Sequence, residues 1–407
     1  MKPTVISLYS GAGGLDYGFE AAGFDTRATL EFDHDCCESL RASRRWSVIE
    51  RSIFDVSTKE LLGVAHLRAE EPDLVIGGPP CQPFSKAGYW ANGDAKRLED
   101  PRADTLSAYM RVIEEARPRA FLLENVEGLA YSGKDEGLKL LLRRIDKINR
   151  KCGTKYKAHY QVLNAADYGV PQLRNRFFLV AARDGAVFTF PAPTHAEAAS
   201  STASASCKPY TTAWDAMCGV TAADDEELTV RGKWAGLLPS VPEGFNYLWH
   251  TSRGGGLPLF GWRRRYWTFL LKLAKNRPSW TIQAQPGPAV GPFHWDNRRL
   301  SVRELCRLQT FPDDVRIIGG RTSQQKQIGN AVPSLLAEVL GRAIRKQLLG
   351  HRRVSDEPVL MPPCRAPYPE PRSPEQVPRE FRKLVGDHSA HPGTGKGHAA
   401  MLRTAVG

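Results

Sequence analysis

Over roughly the first 185 residues, short apolar runs rich in β-branched residues alternate with longer stretches whose apolar positions recur at helical spacing. Thr4–Tyr9 (TVISLY) reads as a buried strand, followed by a Gly-rich turn and a helix to about Ala22. Thr26–Glu31 reads as a second strand, with a helix near Cys36–Arg44 after it. Asp73–Ile76 and Ala120–Leu123 are two further strands, separated by a helical stretch near Ala103–Ala116, and Tyr156–Leu163 and Arg176–Ala182 are late strands. Strands alternating with helices predict an α/β fold with a doubly wound sheet. Such sheets bind ligands at the carboxyl ends of their strands.

The pattern then breaks. Ala192–Ser206 is rich in Ala, Ser and Thr and reads as a linker or exposed loop. Seven of the nine tryptophans fall between Trp214 and Trp295, and rings of that size need a core, so residues 186–298 are expected to form a second, smaller folded unit. The run Arg263-Arg264-Arg265 lies there beside Trp262, Tyr266 and Trp267. Residues 299–349 return to the first domain, with helices near Ser301–Gln309 and Ser334–Leu349. Residues 350–407, rich in Pro and Gly and poor in aromatics, are expected to be a disordered basic tail.

The net charge of +12 permits a polyanionic partner without specifying one. The eight cysteines (36, 37, 81, 152, 207, 218, 306 and 364) include no Cys-x-x-Cys pair, so no metal site is expected. Their scatter does not suggest a disulfide framework. With no signal-peptide core and no apolar run of about 18 residues, the reading is a cytoplasmic chain with reduced thiols and no membrane association.

Four patches carry candidate chemistry. Ser10-Gly11-Ala12-Gly13-Gly14 lies between a strand and a helix, where glycines let the backbone approach a ligand. Taken alone it is equally a plain strand–helix turn. Glu31, about 20 residues on at the end of the second strand, could accept ribose hydroxyls, and Phe32 beside it could cover a base. Gly77-Gly78-Pro79-Pro80-Cys81-Gln82-Pro83-Phe84-Ser85 holds a thiol in a proline-stiffened loop, a setting for a nucleophile. Glu124-Asn125-Val126 closes the Ala120–Leu123 strand, and a buried carboxyl there could retain its proton near neutral pH, though a capping acid reads the same. In Gln172-Leu173-Arg174-Asn175-Arg176, alternation puts Gln172, Arg174 and Arg176 on one face, suggesting anion or carbonyl recognition, with a solvated strand edge as the alternative.

Taken in order with Arg299-Leu300, Arg303-Glu304, Arg307–Pro312 and Gln327–Pro333, these motifs closely resemble those of the bacterial cytosine-5 DNA methyltransferases of restriction-modification type, over about residues 4 to 345. The resemblance implies a Rossmann-like methyltransferase sheet, S-adenosyl-L-methionine as cofactor, and a target recognition domain in the tryptophan-rich insert. It implies that Cys81 attacks C6 of a flipped cytosine, that Glu124 meets N3 and the exocyclic amine, and that Arg176, with Arg174 nearby, meets O2. Tyr9, Gly11, Ala12, Gly13, Gly14, Glu31, Phe32, Ser52, Ile53 and Asn330 would line the cofactor site, and Arg303 and Glu304 would brace the recognition domain. Ser52 stands where the family commonly has Asp, so a weaker grip on the adenine amine is expected. Double-stranded DNA is the implied partner, with the chain acting as a monomer alongside a restriction endonuclease.

Two other readings share some of these features. An RNA cytosine-5 methyltransferase is disfavoured by the long insert and the basic charge. A DNA-binding homologue impaired in catalysis is disfavoured by the intact Cys81, Glu124 and Arg176.

Overall fold

A computed structural model describes residues 2–80, 104–130, 136–197, 207–223, 225–262, 266–351, 353–355, 357–386 and 388. In chain order the α/β part comprises β1 (Thr4–Leu8), α1 (Gly14–Ala21), β2 (Asp25–Glu31), α2 (His34–Ser43), β3 (Val48–Glu50), α3 (Thr58–Val64), β4 (Leu74–Gly77), α4 (Asp104–Ala116), β5 (Ala120–Val126), α5 (Glu136–Cys152), β6 (His159–Asn164), β7 (Gln172–Leu173) and β8 (Asn175–Ala182). Among the described residues, seven strands form one sheet in the order β3-β2-β1-β4-β5-β8-β6. The pairs from β3 through β5 are parallel, whereas β8 is antiparallel to both β5 and β6. The carboxyl ends of β1, β2, β3, β4 and β5 therefore share one edge.

The central strands read as continuous apolar runs because both faces are covered. Ile6, Leu8, Val75, Phe121 and Leu123 join one core with Leu61 and Leu62 of α3, Leu106 of α4 and Leu141 of α5. The alternate residues Val5, Leu74, Ile76, Ala120 and Leu122 join the other core with Leu15 and Phe19 of α1. That second core is closed by α9 (Ser334–Gln347) through Leu335, Leu336, Leu340 and Ile344. The doubly wound sheet expected from the pattern is the one observed. Helices α1 and α9 touch closely because Gly14 and Gly18 present no side chain. A Cβ at Gly14 would lie 2.3 Å from the Val332 carbonyl, and one at Gly18 2.3 Å from that of Ser334. The last helix is thus locked onto the turn that follows the first strand.

The insert continues with β9 (His195–Ala196), β10 (Lys208–Pro209), α6 (Ala213–Met217) and β11 (Ser279–Trp280), and the chain returns through α7 (Val302–Leu308) and α8 (Arg321–Asn330). Its two ends pack on the α/β body. Phe188 belongs to the α1/α9 core, and Ala213, Ala216 and Met217 share a core with Leu305, Leu308 and Ile328. A separate core gathers Leu237, Leu238, Val241, Tyr247, Leu259, Leu270 and Phe293, with Trp234, Phe260 and Phe269 packed against it.

The tail departs from expectation. Residues 357–386 are not a free extension but a strap. The Val359 and Leu360 amides donate to the carboxylate of buried Glu338 at 2.8 and 2.9 Å, and the Arg365 amide donates to Asp215 Oδ1 at 2.6 Å. The Glu375 amide then donates to the Pro239 carbonyl at 3.0 Å. A last helix, α10 (Arg379–Arg382), buries Phe381 in the insert's core, where it stacks on Trp234 with centroids 5.7 Å apart. Composition misreads such a segment because an extended proline-rich chain needs no core of its own. Leu360, Met361, Val377 and Phe381 reach cores that other residues have built.

Removing the Phe381 ring leaves a cavity in that core. We expect Phe381→Ala to cost about 3–5 kcal/mol, the usual range for a buried Phe→Ala change. Urea unfolding followed by tryptophan fluorescence, with Trp234 as the neighbouring reporter, measures it.

Candidate active site

Two clusters occupy the common strand edge. The first lies over β1 and β2. Tyr9 leaves β1 in a left-handed conformation (φ 56°), rare for a non-glycine residue, and its hydroxyl donates to the Thr105 carbonyl at 2.9 Å. Gly11 is also left-handed (φ 53°), and a Cβ built on it would meet no atom within 4 Å, so open space lies over the turn. The Gly11 amide donates to Glu31 Oε2 at 2.8 Å, and Glu31 Oε1 accepts the amides of Phe32 and Asp33, each at 2.8 Å. The Glu31 carboxylate thus ties the turn after β1 to the turn after β2 and keeps lone pairs for a ligand hydroxyl. Ala12 is buried, Gly13 is the left-handed N-cap of α1, and Phe32 is 66% exposed at the rim.

The other expected cofactor residues converge on the same place. The Arg51 amide donates to the Glu31 carbonyl at 3.0 Å, which sets Ser52 beside the end of β2. Ser52 Oγ accepts the Phe54 amide at 3.3 Å, so its hydroxyl caps the turn, and Ile53 is buried. Asn330 ends α8 exposed, one residue before the Ala331–Val332 stretch that packs on Gly14. An open glycine turn, a carboxylate at the second strand end and an exposed ring beside it suit an adenosyl cofactor.

The second cluster lies at the end of β5. The antiparallel register pairs Val126 with Arg176 and Glu124 with Phe178, and it brings Arg176 Nε to 3.0 Å from Glu124 Oε1. Their side chains are only 14% and 11% exposed. Burial pushes the Glu124 carboxyl above the usual carboxylate range, and the neighbouring Arg176, then Arg174, restrain the rise. Cys81 lies outside the described residues, as do Gln82–Ser85, but the arm leading to it is described. Asn125 Nδ2 donates to the Pro79 carbonyl at 3.2 Å, and Thr105 Oγ1 donates to the Pro80 carbonyl at 3.1 Å. A Cβ at Gly78 would fall 2.8 Å from Glu124 Oε2, so a side chain there would displace the carboxylate from its place beside Arg176.

Arg174 is not the second arm that alternation suggested. Its side chain is 1% exposed and donates to the carbonyls of Gly329 (2.6 Å), Ala331 (2.9 Å) and Ile282 (3.2 Å). The reason is local: the chain leaves β7 at Leu173 and enters β8 at Asn175, so the two-residue period does not run through Arg174. Gln172 turns inward with it, accepting the Ile282 amide at 3.0 Å and donating to the Leu308 carbonyl at 3.3 Å. Both side chains brace the return segment and α8. Glu304 is gripped by Arg298 through two contacts of 2.6 and 2.8 Å and completes a capping box with Ser301, which ties the start of α7 to the end of the insert. The run Arg263–Arg265 lies outside the described residues.

Sequence reading missed three contributors. Asn125 was visible only as part of a motif, and Thr105 and Arg298 gave no signal of their own. A fourth is Asp16, in the first turn of α1. It is wholly buried, and neither carboxylate oxygen has a hydrogen-bond donor among the described residues.

A family model described as C-5 cytosine-specific DNA methylase matches residues 3–346. The chain is 42% identical over 369 residues to the Type II methyltransferase M.SacI of Streptomyces achromogenes, covering 84% of this chain and 93% of the relative. It is 32% identical to the Type II methyltransferase M1.HphI of Haemophilus parahaemolyticus, covering 85% and 87%. Among solved structures, a Spodoptera frugiperda DNMT2 variant superposes with a TM-score of 0.57 at 15% identity, covering 84% of this chain and all of that one, which shows likeness of fold.

The Asp16 environment predicts a pH dependence. Burial, partly offset by the nearby Ser7 hydroxyl, pushes its carboxyl up to about 7. The folded state therefore holds a proton that the unfolded chain releases near the ordinary carboxylate value. Stability contributed at this site falls as pH rises from about 4 to about 7, by about 1.4 kcal/mol per pKa unit. Asp16→Asn should flatten that part of the stability profile and gain most above pH 7, as read by thermal or urea unfolding across pH.

Proposed function

The chain belongs to the C-5 cytosine-specific DNA methylase family, and from that premise we propose that Cys81 of this DNA (cytosine-5)-methyltransferase attacks C6 of an extruded cytosine held between Glu124 and Arg176. The observation that carries the reading is the buried contact between those two side chains, beside the pinned arm that leads to Cys81. Cytosine N3 and O2 are neighbouring acceptors on one ring edge. Two donors already in contact can grip them together: a protonated Glu124 carboxyl at N3, Arg176 N–H groups at O2.

The roles then follow. The Cys81 thiolate forms the S–C6 bond, and the displaced ring electrons make C5 nucleophilic while charge builds toward N3 and O2. Glu124 and Arg176 stabilise that charge in a site closed to water, where each such donor contributes roughly 3–4 kcal/mol to the barrier. Bound S-adenosyl-L-methionine supplies the electrophilic methyl group. Loss of the C5 proton to a base and departure of the thiolate restore the aromatic ring. The turn at Gly11–Gly14, the Glu31 carboxylate and Phe32 hold the cofactor's adenosyl part, Asn330 its methionine end. Ser52 and Ile53 line the adenine edge, with Ser52 offering an uncharged contact in place of a carboxylate.

Cytosine C6 is shielded inside a stacked duplex, so the base must leave the helix. Sequence choice falls to residues 190–298, with the tryptophan-rich core presenting side chains to the major groove. The Type II methyltransferase relatives support a restriction-modification role; we extend that role to a partner restriction endonuclease, to the cytoplasm and to action as a single chain.

Trapping on a duplex library in which 5-fluorocytosine replaces cytosine tests the covalent step, because fluorine blocks removal of the C5 substituent. With cofactor present the wild-type chain should form a detergent-stable adduct, and Cys81→Ala should form none. An adduct with Cys81→Ala, or none with wild type that still methylates plasmid DNA, contradicts the assignment.

A further inference from the structure

A cavity of about 280 Å³ lies at the seam between the tryptophan-rich insert and the returning chain. One wall is Thr229, Arg231, Pro286–Pro288 and Phe293 of the insert, and the other is Arg299, Leu305, Arg321 and Gln325 of the return. Three arginines and no carboxylate line it.

The arginines are not equivalent. Arg231 is already paired with Glu227 at 2.9 Å. Arg321, at the first position of α8, donates one N–H to the Leu300 carbonyl at 2.5 Å, yet its Nε and Nη1 are buried with no hydrogen-bond partner among the described residues. Glu226 stands 3.7 Å from Arg321 Nε, beyond hydrogen-bond reach, and its Oε1 already accepts the Val302 amide at 2.8 Å. Arg299 lines the same cavity; burial first, and then the charge of Arg299, depress the Arg321 guanidinium pKa, against an opposing pull from Glu226 and Glu304. Carboxylates of Asp225, Glu226 and Glu227 line the adjoining pocket with these arginines, and Glu226 and Glu304 offset part of the repulsion; on the cavity side the open, buried guanidinium donors still lack an acceptor, which an anion would supply.

We propose that Arg299 and Arg321 form a phosphate site that takes one phosphodiester of the DNA backbone where the duplex crosses the seam. A tetrahedral oxyanion suits two guanidinium forks, which bind phosphate oxygens through paired N–H groups. The location gives the contact a purpose. The segment Ile282–Ala284 packs on Gly329 beside Asn330, and Ile282 and Gly329 are both held by Arg174. A phosphate bound at the seam would set the register of the duplex against both the insert and the catalytic body. The inference rests on the reading of the insert as the part that meets the duplex. The two can fail separately: the 5-fluorocytosine adduct reports Cys81, whereas the salt dependence of binding reports this site.

The test is equilibrium binding of the full chain to a 30-base-pair duplex by fluorescence anisotropy over a series of salt concentrations. Losing one phosphate contact lowers the slope of log affinity against log salt by about one. Arg299→Gln and Arg321→Gln should each do so, Arg299→Lys should keep the wild-type slope, and cofactor binding should be unchanged in all three. Because Arg321 also donates to Leu300, Arg299→Gln decides the matter if Arg321→Gln unfolds. An unchanged slope for Arg299→Gln overturns the proposal. That holds even if titration with inorganic phosphate detects binding at the cavity, since the site would then serve free phosphate and not DNA.

Discussion

A buried carboxyl–guanidinium contact at the end of β5 is the constraint around which the site is arranged. Glu124 and Arg176 touch at 3.0 Å with little solvent around either. A buried carboxylate or guanidinium is costly alone, and removing one partner leaves the other uncompensated, typically at 3–5 kcal/mol. The sheet brings them together through its antiparallel step: β8 enters beside β5 with Arg176 opposite Val126. In a parallel strand there, the first residues would lie at the opposite edge, and Arg176, next to the start of β8, would be carried away from the carboxyl end of β5.

The surrounding structure aims the chain at that pair. Gly78 passes so close to Glu124 that a side chain there would displace the carboxylate, Asn125 holds Pro79, and Thr105 holds Pro80 while also receiving the Tyr9 hydroxyl. The Tyr9 contact couples the two clusters, because Tyr9 begins the turn whose Gly11 amide rests on Glu31. On the far side, Arg174 fastens the ends of α8 and the insert to the same β7–β8 corner through three carbonyls. The Gly11–Gly14 turn, the Gly78–Pro80 arm and the insert are therefore hydrogen-bonded to neighbouring residues of one sheet edge.

Much of this was legible in sequence for a physical reason. Val5, Ile6, Leu74, Val75, Leu122 and Leu123 alternate between two covered faces, so their runs are apolar throughout, and the glycines and acids that interrupt them mark strand ends. What escaped depends on contacts between distant segments. Alternation predicted a common face for Gln172, Arg174 and Arg176, but the strand breaks at Arg174 and sends it inward. Arg298 and Arg303 are equally basic neighbours of Glu304, and only the fold selects Arg298. Strand β3, three residues long, is too short to show a period. The strap at 357–386 borrows its burial from Trp234 and the α1/α9 core, which composition within the segment cannot reveal.

The central claim is that Glu124 and Arg176 act on the substrate as one unit. A double-mutant cycle on single-turnover methyl transfer, with Glu124→Gln, Arg176→Gln and the double variant, measures this most directly. Each single change should slow transfer by about 10²–10³-fold, and the double variant should be little slower than the worse of the two, as expected for groups that fail together. If the two effects multiply, the residues act independently and the account of the site is wrong.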